Sequence, residues 1–395
     1  MDTLLHDDPA PLCGRTDFIE QIMANCRAGR LTVLSAESGL GVSSLLRRGL
    51  LPCLRREGAI AIVFNAWGGR FFASDLRETL AGEVRETADP QFFAQSETLD
   101  EMLERIRART SKPAVILLDQ FEDYVRCHSG SEVSDSFDAE LAYAVAARKG
   151  IFVIGLQEHA LPAFERLGQY IPNLLGFHVQ LTPLTSAAAK EAVTADAKYR
   201  GMEIEPEALE ALVSARVVAA AENQIHPFYL KVASGTLLDS EALLKSSRLR
   251  MATVEAQHGV DRIVLESLDT KIAELSSTHV ELLFRWCNLL ISAEKHRLSV
   301  TEKGLTDYAG KLNRFVPTLL PLLLENGILR SIDAAGVLRY EISRDCLTPI
   351  LRDWWERREA AIVARRRALF RIRSISLAAS AIMLTYVIWL LWKQG

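Results

Sequence analysis

The feature that most constrains the fold is an alternation of short apolar runs with amphipathic helical patterns in the N-terminal part of the chain. The apolar runs are Leu31–Leu34, Ala59–Phe64, Ala114–Leu118, Ile151–Leu156 and Phe177–Leu181. Runs of this length that are apolar on both faces are typical of parallel strands covered by helices on either side. The alternation therefore predicts an α/β fold with a doubly wound parallel sheet, in which ligands bind beyond the carboxyl ends of the strands.

The first apolar run leads into a glycine- and serine-rich stretch at residues 36–44, which we call the P-loop segment. In the phosphate-binding pattern G-x-x-x-x-G-K-[ST], backbone N–H groups surround the phosphates, the lysine reaches the β and γ groups, and the hydroxyl holds Mg²⁺. Here Ala36 replaces the first glycine and Val42 replaces the lysine, whereas Ser43 keeps the hydroxyl. A strand-to-helix turn of this composition is also common outside phosphate sites. The segment therefore predicts a phosphate loop that lacks its main positive charge.

The third apolar run ends in the acidic sequence Asp-Gln-Phe-Glu-Asp at residues 119–123. A carboxylate at the carboxyl end of a strand beside a P-loop is where NTPases hold Mg²⁺, so we predict that Asp119 and Ser43 are the metal ligands. In many such enzymes a glutamate directly after this aspartate polarises the attacking water, but Gln120 cannot accept a proton. Asp119 and Glu122 are therefore the candidates for catalysis, and solvated loop carboxylates are the alternative interpretation.

After Pro183 the pattern changes twice. Residues 184–275 are almost wholly helical in pattern, as in a lid domain. Residues 276–353 show three helices followed by two strands, at Ile328–Ile332 and Val337–Ile342, which is typical of a winged helix. We therefore predict a P-loop NTPase-like α/β domain at residues 1–183, a helical lid at 184–275 and a winged-helix domain at 276–353.

The C-terminal part indicates a membrane segment. Residues 374–392 carry no charge, and at about 1.5 Å per residue this stretch approaches the thickness of a bilayer's hydrocarbon core. Arginines are concentrated in residues 354–373, which we predict to be a basic juxtamembrane helix before a transmembrane helix at 374–392. By the positive-inside rule the large N-terminal part is cytoplasmic. A buried core helix or a coiled-coil stalk is the alternative.

Charge gives no support for nucleic-acid binding. The net charge is −4, and the predicted recognition helix of the winged helix, near Val316–Asn326, has no basic residue. The six cysteines form no C-x-x-C pair, so they predict reduced thiols rather than a metal site. We therefore expect no nucleic-acid partner.

Five motifs occur in order along the chain. They are Cys13-Gly14-Arg15, the P-loop segment with Arg48-Gly49-Leu50-Leu51-Pro52, Leu118-Asp119-Gln120-Phe121-Glu122, Pro227-Phe228-Tyr229-Leu230 and Tyr340-Glu341-Ile342-Ser343-Arg344-Asp345. Together they resemble the bacterial novel STAND NTPases, signal-transduction ATPases with numerous domains. The resemblance extends over roughly residues 11–359.

The resemblance implies a switch in which ADP locks the α/β domain against the winged helix, and ATP lets the molecule open and oligomerise. It implies ATP or ADP with Mg²⁺ as cofactor, with Gly14 and Arg15 near the adenine and His226 and Pro227 near the base or ribose. Arg344 stands where the family has a histidine that contacts the β-phosphate. The residues implied at the phosphates are Ser38, Gly39, Leu40, Gly41, Val42, Ser43 and Ser44.

The chain departs from the family at Ala36, Val42, Arg344 and the pair Gln157-Glu158, where an arginine-led motif is usual. Loss of the lysine predicts weak or no ATP hydrolysis, since each charge-assisted hydrogen bond contributes about 1.5–3 kcal/mol.

We therefore expect a signalling switch or scaffold in bacterial defence or stress signalling. It would be anchored in the bacterial inner membrane through the C-terminal helix and would have a protein partner or self-associate. One alternative is an active ATPase in which Arg47, Arg48 or Arg344 replaces the lysine. Another is a DNA-binding winged-helix regulator.

Overall fold

The computed structural model describes residues 12–69, 71–85, 98–128, 132–215, 219–221, 224–257, 260, 263, 272, 274–292, 297–334, 337–343, 347–348, 350–364 and 383. Its N-terminal part is built on a parallel sheet in the order β2-β3-β4-β1-β5. The strands are β1 (Leu31–Ala36), β2 (Ile60–Phe64), β3 (Ala114–Leu118), β4 (Ile151–Gln157) and β5 (His178–Leu181). All five predicted strands are confirmed, and the sheet is the parallel α/β architecture that the alternation predicts.

Helices cover both faces of this sheet. They are α1 (Thr16–Ala28), α2 (Val42–Ser44), α3 (Leu51–Arg56), α4 (Phe72–Arg85), α5 (Leu99–Thr110), α6 (Phe121–His128), α7 (Glu132–Ala146) and α8 (Leu161–Phe164). Alternate residues of β1 serve different faces, since Val33 belongs to the core that includes α4 to α7 and Leu34 to the core that includes α1 to α3. Two-sided burial explains why the strands are apolar throughout.

One predicted helix contains a π-helical stretch. The sequence predicts a helix over Val42–Arg56, and the structure places a π-helical stretch, Leu45–Leu50, between α2 and α3. A π-helix is rare and occurs most often as a bulge at functional sites, because its wider turn redirects side chains. This stretch follows the P-loop segment directly.

The next part of the chain is mainly helical. It contains α9 (Ser186–Tyr199), α10 (Pro206–Ser214), α11 (Pro227–Leu243), α12 (Met251–Ala256) and the short strands β6 (Leu184–Thr185), β7 (Glu203–Ile204), β8 (Ala219–Ala221), β9 (Gln224–Ile225) and β10 (Arg248–Leu249). The amphipathic pattern over Glu205–Ala221 predicts one helix, but α10 ends at Ser214 and β8 pairs with β9 in an antiparallel arrangement. The local pairing of these two strands overrides the helix propensity of the alanines.

Three helices and a hairpin follow, which we call the helix–hairpin unit. Its elements are α13 (Ser277–Leu290), β11 (Val300–Thr301), α14 (Glu302–Ala309), α15 (Val316–Glu325), β12 (Leu329–Ala334) and β13 (Val337–Ile342). Strand β13 pairs with both β11 and β12. Buried residues from Leu184 to Trp355 form one continuous core, so α9 to α12 and the helix–hairpin unit pack as a single body.

Residues 350–364 are helical, and the Trp355 ring stacks on Phe284 of α13 with 5.4 Å between centroids. Within the described part of the chain, no helix combines the length and apolar character that a bilayer span requires. Residues 374–392, except Met383, lie outside the described residues, and so does Arg344. The transmembrane helix and the role of Arg344 therefore stay predictions.

Candidate functional site

The P-loop segment forms an open turn between β1 and α2. Gly39 and Gly41 have φ of 83° and 95°, in the left-handed region that favours glycine. A Cβ built on Gly41 would meet no atom within 4 Å. The backbone of the segment is therefore free to approach a ligand, as the phosphate-binding pattern requires.

A cavity of about 610 Å³ opens beside this turn. Its floor is the P-loop segment and the carboxyl ends of β3 and β4, and its opposite wall is α11 and the helix–hairpin unit. Among the described residues predicted to contact phosphate, Leu40 alone does not line this cavity; it lines a smaller one next to the segment. The basic residues at the large cavity are Arg47, Lys231, Arg297 and Arg330.

Asp119 and Ser43 come together as predicted. The Ser43 hydroxyl donates to Asp119 Oδ1 at 2.9 Å, and the Trp67 indole N–H donates to the Asp119 carbonyl at 2.7 Å. The Asp119 side chain is buried, which raises its pKa, while the Ser43 hydrogen bond and the Arg47 charge oppose that rise. Oδ2 makes no hydrogen bond within the described residues. A buried carboxylate oxygen with remaining acceptor capacity fits a hard cation such as Mg²⁺.

Arg47 lies on the π-helical stretch, with its Nε 3.5 Å from Asp119 Oδ2. Its side chain is about one-third exposed, and it lines the large cavity. The guanidinium therefore brings positive charge to the site from a helix position after the P-loop segment.

Val42 packs where the loop joins the sheet. A Cβ on Gly155 of β4 would lie 2.8 Å from Val42 Cγ1 and 3.0 Å from Leu46 Cδ1. The valine thus occupies a space that β4 leaves open by having glycine. Its apolar side chain lines the cavity without supplying a charge.

Glu122 projects into the same cavity from the start of α6. Its side chain is 8% exposed, and Oε2 accepts the Gln157 N–H at 3.2 Å. Burial and the neighbouring Asp123 raise the pKa of Glu122 to about 7, although Arg297 opposes the shift. A carboxylate with a pKa near neutrality has the protonation range of a general base.

Arg15 lines the smaller cavity, of about 140 Å³, and Gly14 directly precedes it in the chain. Gly14 has φ of 73°, and a Cβ there would lie 2.5 Å from the Ala188 carbonyl oxygen of α9. Arg15 donates to the carbonyls of Thr182 and Leu40 at 2.6 and 3.1 Å, and burial lowers its pKa to about 10. Gly14 therefore packs closely against α9, and Arg15 bonds the P-loop segment. Arg15 also borders the cavity where the resemblance implies adenine.

His226 precedes α11 and touches the P-loop segment, with its Nε2 3.2 Å from the Ser38 carbonyl oxygen. Burial lowers the pKa of this imidazole, so the neutral form is favoured. Pro227, the next residue, lines both cavities. The His-Pro pair thus holds the start of α11 against the P-loop segment, between the two cavities.

No sequence motif predicted the group that we call the arginine–carboxylate cluster: Asp123, Arg126, Arg297, Arg330 and Glu341. Glu341 is fully buried. Its carboxylate forms ion pairs with Arg126 at 2.5 Å, Arg330 at 2.8 Å and Arg297 at 3.2 Å. The Asp123 carboxylate forms ion pairs with Arg126 at 2.7 Å and Arg330 at 2.9 Å. The cluster joins α6 to the helix–hairpin unit. Glu341 was visible only as part of a motif, and no local pattern pairs residues more than 200 positions apart.

A protein-family model described as novel STAND NTPase 1 matches residues 4–371. No curated protein sequence matches the chain significantly.

The structure is similar to that of Aeropyrum pernix ORC1 in complex with DNA, with 15% identity, 92% of this chain and 97% of that chain covered, and a TM-score of 0.48. It is also similar to Aeropyrum pernix ORC2 in ADPNP-ADP complexes, with 14% identity, coverage of 90% and 97%, and a TM-score of 0.48. The Walker-type ATPase PABY2304 of Pyrococcus abyssi has 16% identity, coverage of 89% and 100%, and a TM-score of 0.46. These similarities are too distant to indicate a function.

Proposed function

The chain belongs to the novel STAND NTPase 1 family, and from this premise we propose that it is a nucleotide-controlled switch or scaffold that hydrolyses ATP weakly or not at all. The observation that carries the proposal is the pairing of Ser43 with a buried Asp119 in a cavity whose loop has Val42 in the lysine position. Metal-binding groups are kept, whereas the charge that most favours phosphoryl transfer is absent.

The residues at the cavity fit ATP or ADP with Mg²⁺. The open backbone at Gly41 provides N–H groups for phosphate, and Asp119 Oδ2 and the Ser43 hydroxyl are suitable for the metal. Bound Mg²⁺ would neutralise part of the phosphate charge. Arg15 and Pro227 would enclose the base at the smaller cavity, with Gly14 directly before Arg15 in the chain. Nothing in the P-loop segment itself supplies the stabilisation of a lysine.

We also propose that residues 184–275 act as a lid and residues 276–353 as a winged helix that closes over the nucleotide. The helix–hairpin unit supports this assignment, because three helices precede its paired strands and its hairpin borders the cavity. Helix α15 carries no basic residue, which favours docking within the molecule over binding to DNA.

Membrane anchoring by residues 374–392 is part of the proposal. The charge-free length supports it, as does the helix at residues 350–364, which leads from the helix–hairpin unit toward the arginine-rich stretch. Full-length protein is expected to sediment with membranes and resist salt extraction, whereas a chain ending at residue 373 is released. Equal release of both chains would refute the anchor. We further propose that the protein lies in the bacterial inner membrane, self-associates or binds a protein partner, and acts in defence or stress signalling.

Nucleotide binding by the full-length protein in detergent tests the central claim. Fluorescent ATP and ADP are titrated with Mg²⁺ against the wild type, Asp119→Asn and the exposed-carboxylate control Asp307→Asn. We expect binding that requires Mg²⁺ and that Asp119→Asn weakens at least about tenfold, because the metal loses a charged ligand. Absence of binding at millimolar nucleotide would leave a scaffold without a nucleotide switch.

A second candidate function is an active ATPase in which Arg47 replaces the lysine. The 3.5 Å approach of Arg47 to Asp119 favours it, because this approach brings a guanidinium to the metal-binding end of the cavity. Glu122, with its pKa of about 7, would then serve as the base. Steady ATP hydrolysis that Arg47→Met abolishes and Arg48→Met retains would support this function over the switch.

A further inference from the structure

Basic residues are concentrated at the edge of the parallel sheet that lies opposite the large cavity. All five strands are parallel, so their amino ends meet at one edge of the sheet. The residues at this edge, which we call the amino-end face, are 27–30, 55–59, 107–113, 147–150 and 175–177. The large cavity lies at the carboxyl ends of the same strands, so a strand length of roughly 20 Å separates it from this face.

The amino-end face is strongly positive. Four of its five segments contain lysine or arginine, and among these described residues Glu57 is the single acidic one. Glu57 pairs with Arg27 of the same face. The chain as a whole has a net charge of −4, so the positive charge here is a local concentration.

Strand register brings basic residues from neighbouring connections together. Val115 of β3 pairs with Ile151 of β4, and Lys112 and Arg148 each lie three residues before these partners. Arg30 precedes β1 on the other side of β4, and its carbonyl accepts the Phe152 N–H at 2.8 Å. Neighbouring strands are about 4.8 Å apart, so three adjacent strands present positive charge at one edge. Lys112 and Arg148 are both exposed.

Helix ends account for part of this charge. Helices α1, α3, α5 and α7 all end at this edge, and a basic residue in the last turn, such as Arg55 or Arg107, favours the helix macrodipole. Lys112 and Arg148 lie beyond the helices, in the connections to β3 and β4, and the last turn of α7 has no basic residue. The dipole effect is confined to the last turn, so these two residues call for another explanation.

Exposed apolar side chains lie at the same edge. Phe177 directly precedes β5 and is 38% exposed, and Leu175 is 36% exposed. A Cβ on Gly29 would lie 2.5 Å from Phe177 Cε2, so this ring adjoins the residue next to Arg30. Exposed aromatic and apolar side chains beside basic residues are typical of surfaces that bind the lipid–water interface, where the basic groups meet anionic headgroups.

We propose that the amino-end face docks on the anionic headgroups of the membrane in which the chain is anchored. The inference rests on the proposed anchor at residues 374–392, because a tether keeps the bilayer surface at a high effective concentration next to a weakly binding face. Nucleic acid has complementary charge as well, but it would have to be captured from solution. Docking in this way turns the large cavity away from the membrane, so nucleotide and protein partners reach it from the cytoplasm.

Chemical labelling of Lys112 in the full-length protein tests the contact without altering the chain. The protein is placed in nanodiscs of phosphatidylcholine alone or of phosphatidylcholine and phosphatidylglycerol in equal parts, and an uncharged amine-acetylating reagent is added. We expect acetylation of Lys112 Nζ, followed by mass spectrometry, to be at least about threefold slower on the anionic nanodiscs. Raised salt should remove the difference. Lys245, exposed beyond α11, is the control lysine and should react equally on both.

Paired variants test whether the face itself is responsible. Arg107→Gln with Arg148→Gln removes two exposed charges and keeps Lys112 as the reporter, so the slowing on anionic nanodiscs is expected to fall at least about twofold. The matched control is Arg248→Gln with Arg250→Gln, because these arginines are also exposed but lie outside the amino-end face. The control pair is expected to keep the full slowing.

Four results would overturn the inference. Equal Lys112 rates on both nanodiscs, with the protein still held in them, would refute docking while the anchor stands. Equal slowing of Lys112 and Lys245 would mean that the bilayer affects the whole protein. Protection of Lys112 by duplex DNA on neutral nanodiscs, without protection by anionic lipid, would make the face a nucleic-acid site. Failure of the wild type to stay with nanodiscs would refute the anchor and the inference together.

Discussion

Restoring the missing lysine is the sharpest test of how this site departs from its family. In Val42→Lys the new side chain starts from a position that already lines the cavity of about 610 Å³, so a longer stem has space to extend. We expect nucleotide affinity to rise, because an ammonium group would reach the β and γ phosphates from the loop.

The magnitude follows from the hydrogen bonds that the new ammonium group would donate to phosphate. One charge-assisted hydrogen bond contributes about 1.5–3 kcal/mol, which corresponds to roughly tenfold to hundredfold tighter binding. Against this gain, Val42 loses its contact beside Gly155 and Leu46, which lowers the free energy of unfolding by about 1 kcal/mol. The two effects are separable, since the first appears in nucleotide affinity and the second in thermal stability without ligand.

The assay is titration of fluorescent ADP and ATPγS with Mg²⁺ against full-length wild type, Val42→Lys and the control Val42→Met. Methionine has a long unbranched stem without the charge, so it reports the effect of replacing valine alone. Binding by Val42→Lys that is no tighter than binding by Val42→Met would refute the reasoning. The phosphates would then lie away from the P-loop segment, or the cavity would not bind nucleotide.

Three further predictions concern stability. Burial raises the pKa of Glu122 from 4.5 to about 7, so the folded protein retains a proton that the unfolded chain releases, and stability falls as the pH rises through this window. Thermal melts from about pH 5 to about pH 8 are expected to show a fall of up to about 3 kcal/mol that Glu122→Gln lacks; equal pH profiles would contradict this. Gly14→Ala is expected to cost at least about 2 kcal/mol, because its Cβ meets the Ala188 carbonyl. Gly58→Ala, with φ of 86° but open space, should cost only about 1 kcal/mol, and equal losses in chemical denaturation would exclude the steric argument. Gly155→Ala is expected to cost about 1–3 kcal/mol by crowding Val42, and Val42→Ala should recover part of it in a double-mutant cycle. Additive effects would show that the two side chains do not interact.

The sheet was predictable because burial on both faces requires consecutive residues of each strand to be apolar. Every predicted strand of the sheet agrees with the structure to within two residues at either end. Helix α9 coincides with Ser186–Tyr199, the amphipathic stretch that predicts a helix there, and β13 coincides with the predicted strand Val337–Ile342. The errors occur where a short hairpin interrupts a helical pattern, as at β8 and β9, or where helix geometry changes within an apolar stretch, as at Leu45–Leu50.

The site was predictable only as far as its motifs are local. The structure brings the P-loop segment, Asp119 and Glu122 to one cavity, as their places at strand ends and turns predict. The cluster around Glu341 was missed because three arginines converge on it from α6, from β12 and from the approach to β11. Such convergence depends on how α6 and the helix–hairpin unit pack, which no spacing in the sequence records.

The position of the positive charge in the cavity bears on what the lost lysine means. A lysine in the P-loop segment would contact phosphate whether or not the rest of the molecule closed over it. The charge at Arg297 and Arg330 contacts the cavity only while the helix–hairpin unit is packed against α6. Binding that draws on these residues is therefore coupled to the arrangement of the two parts, and by linkage the arrangement is coupled equally to the ligand. Moving positive charge away from the loop would impair an ATPase. In the proposed switch, the same change would make nucleotide affinity depend on the packing of the helix–hairpin unit against α6, which is the state that the nucleotide would control.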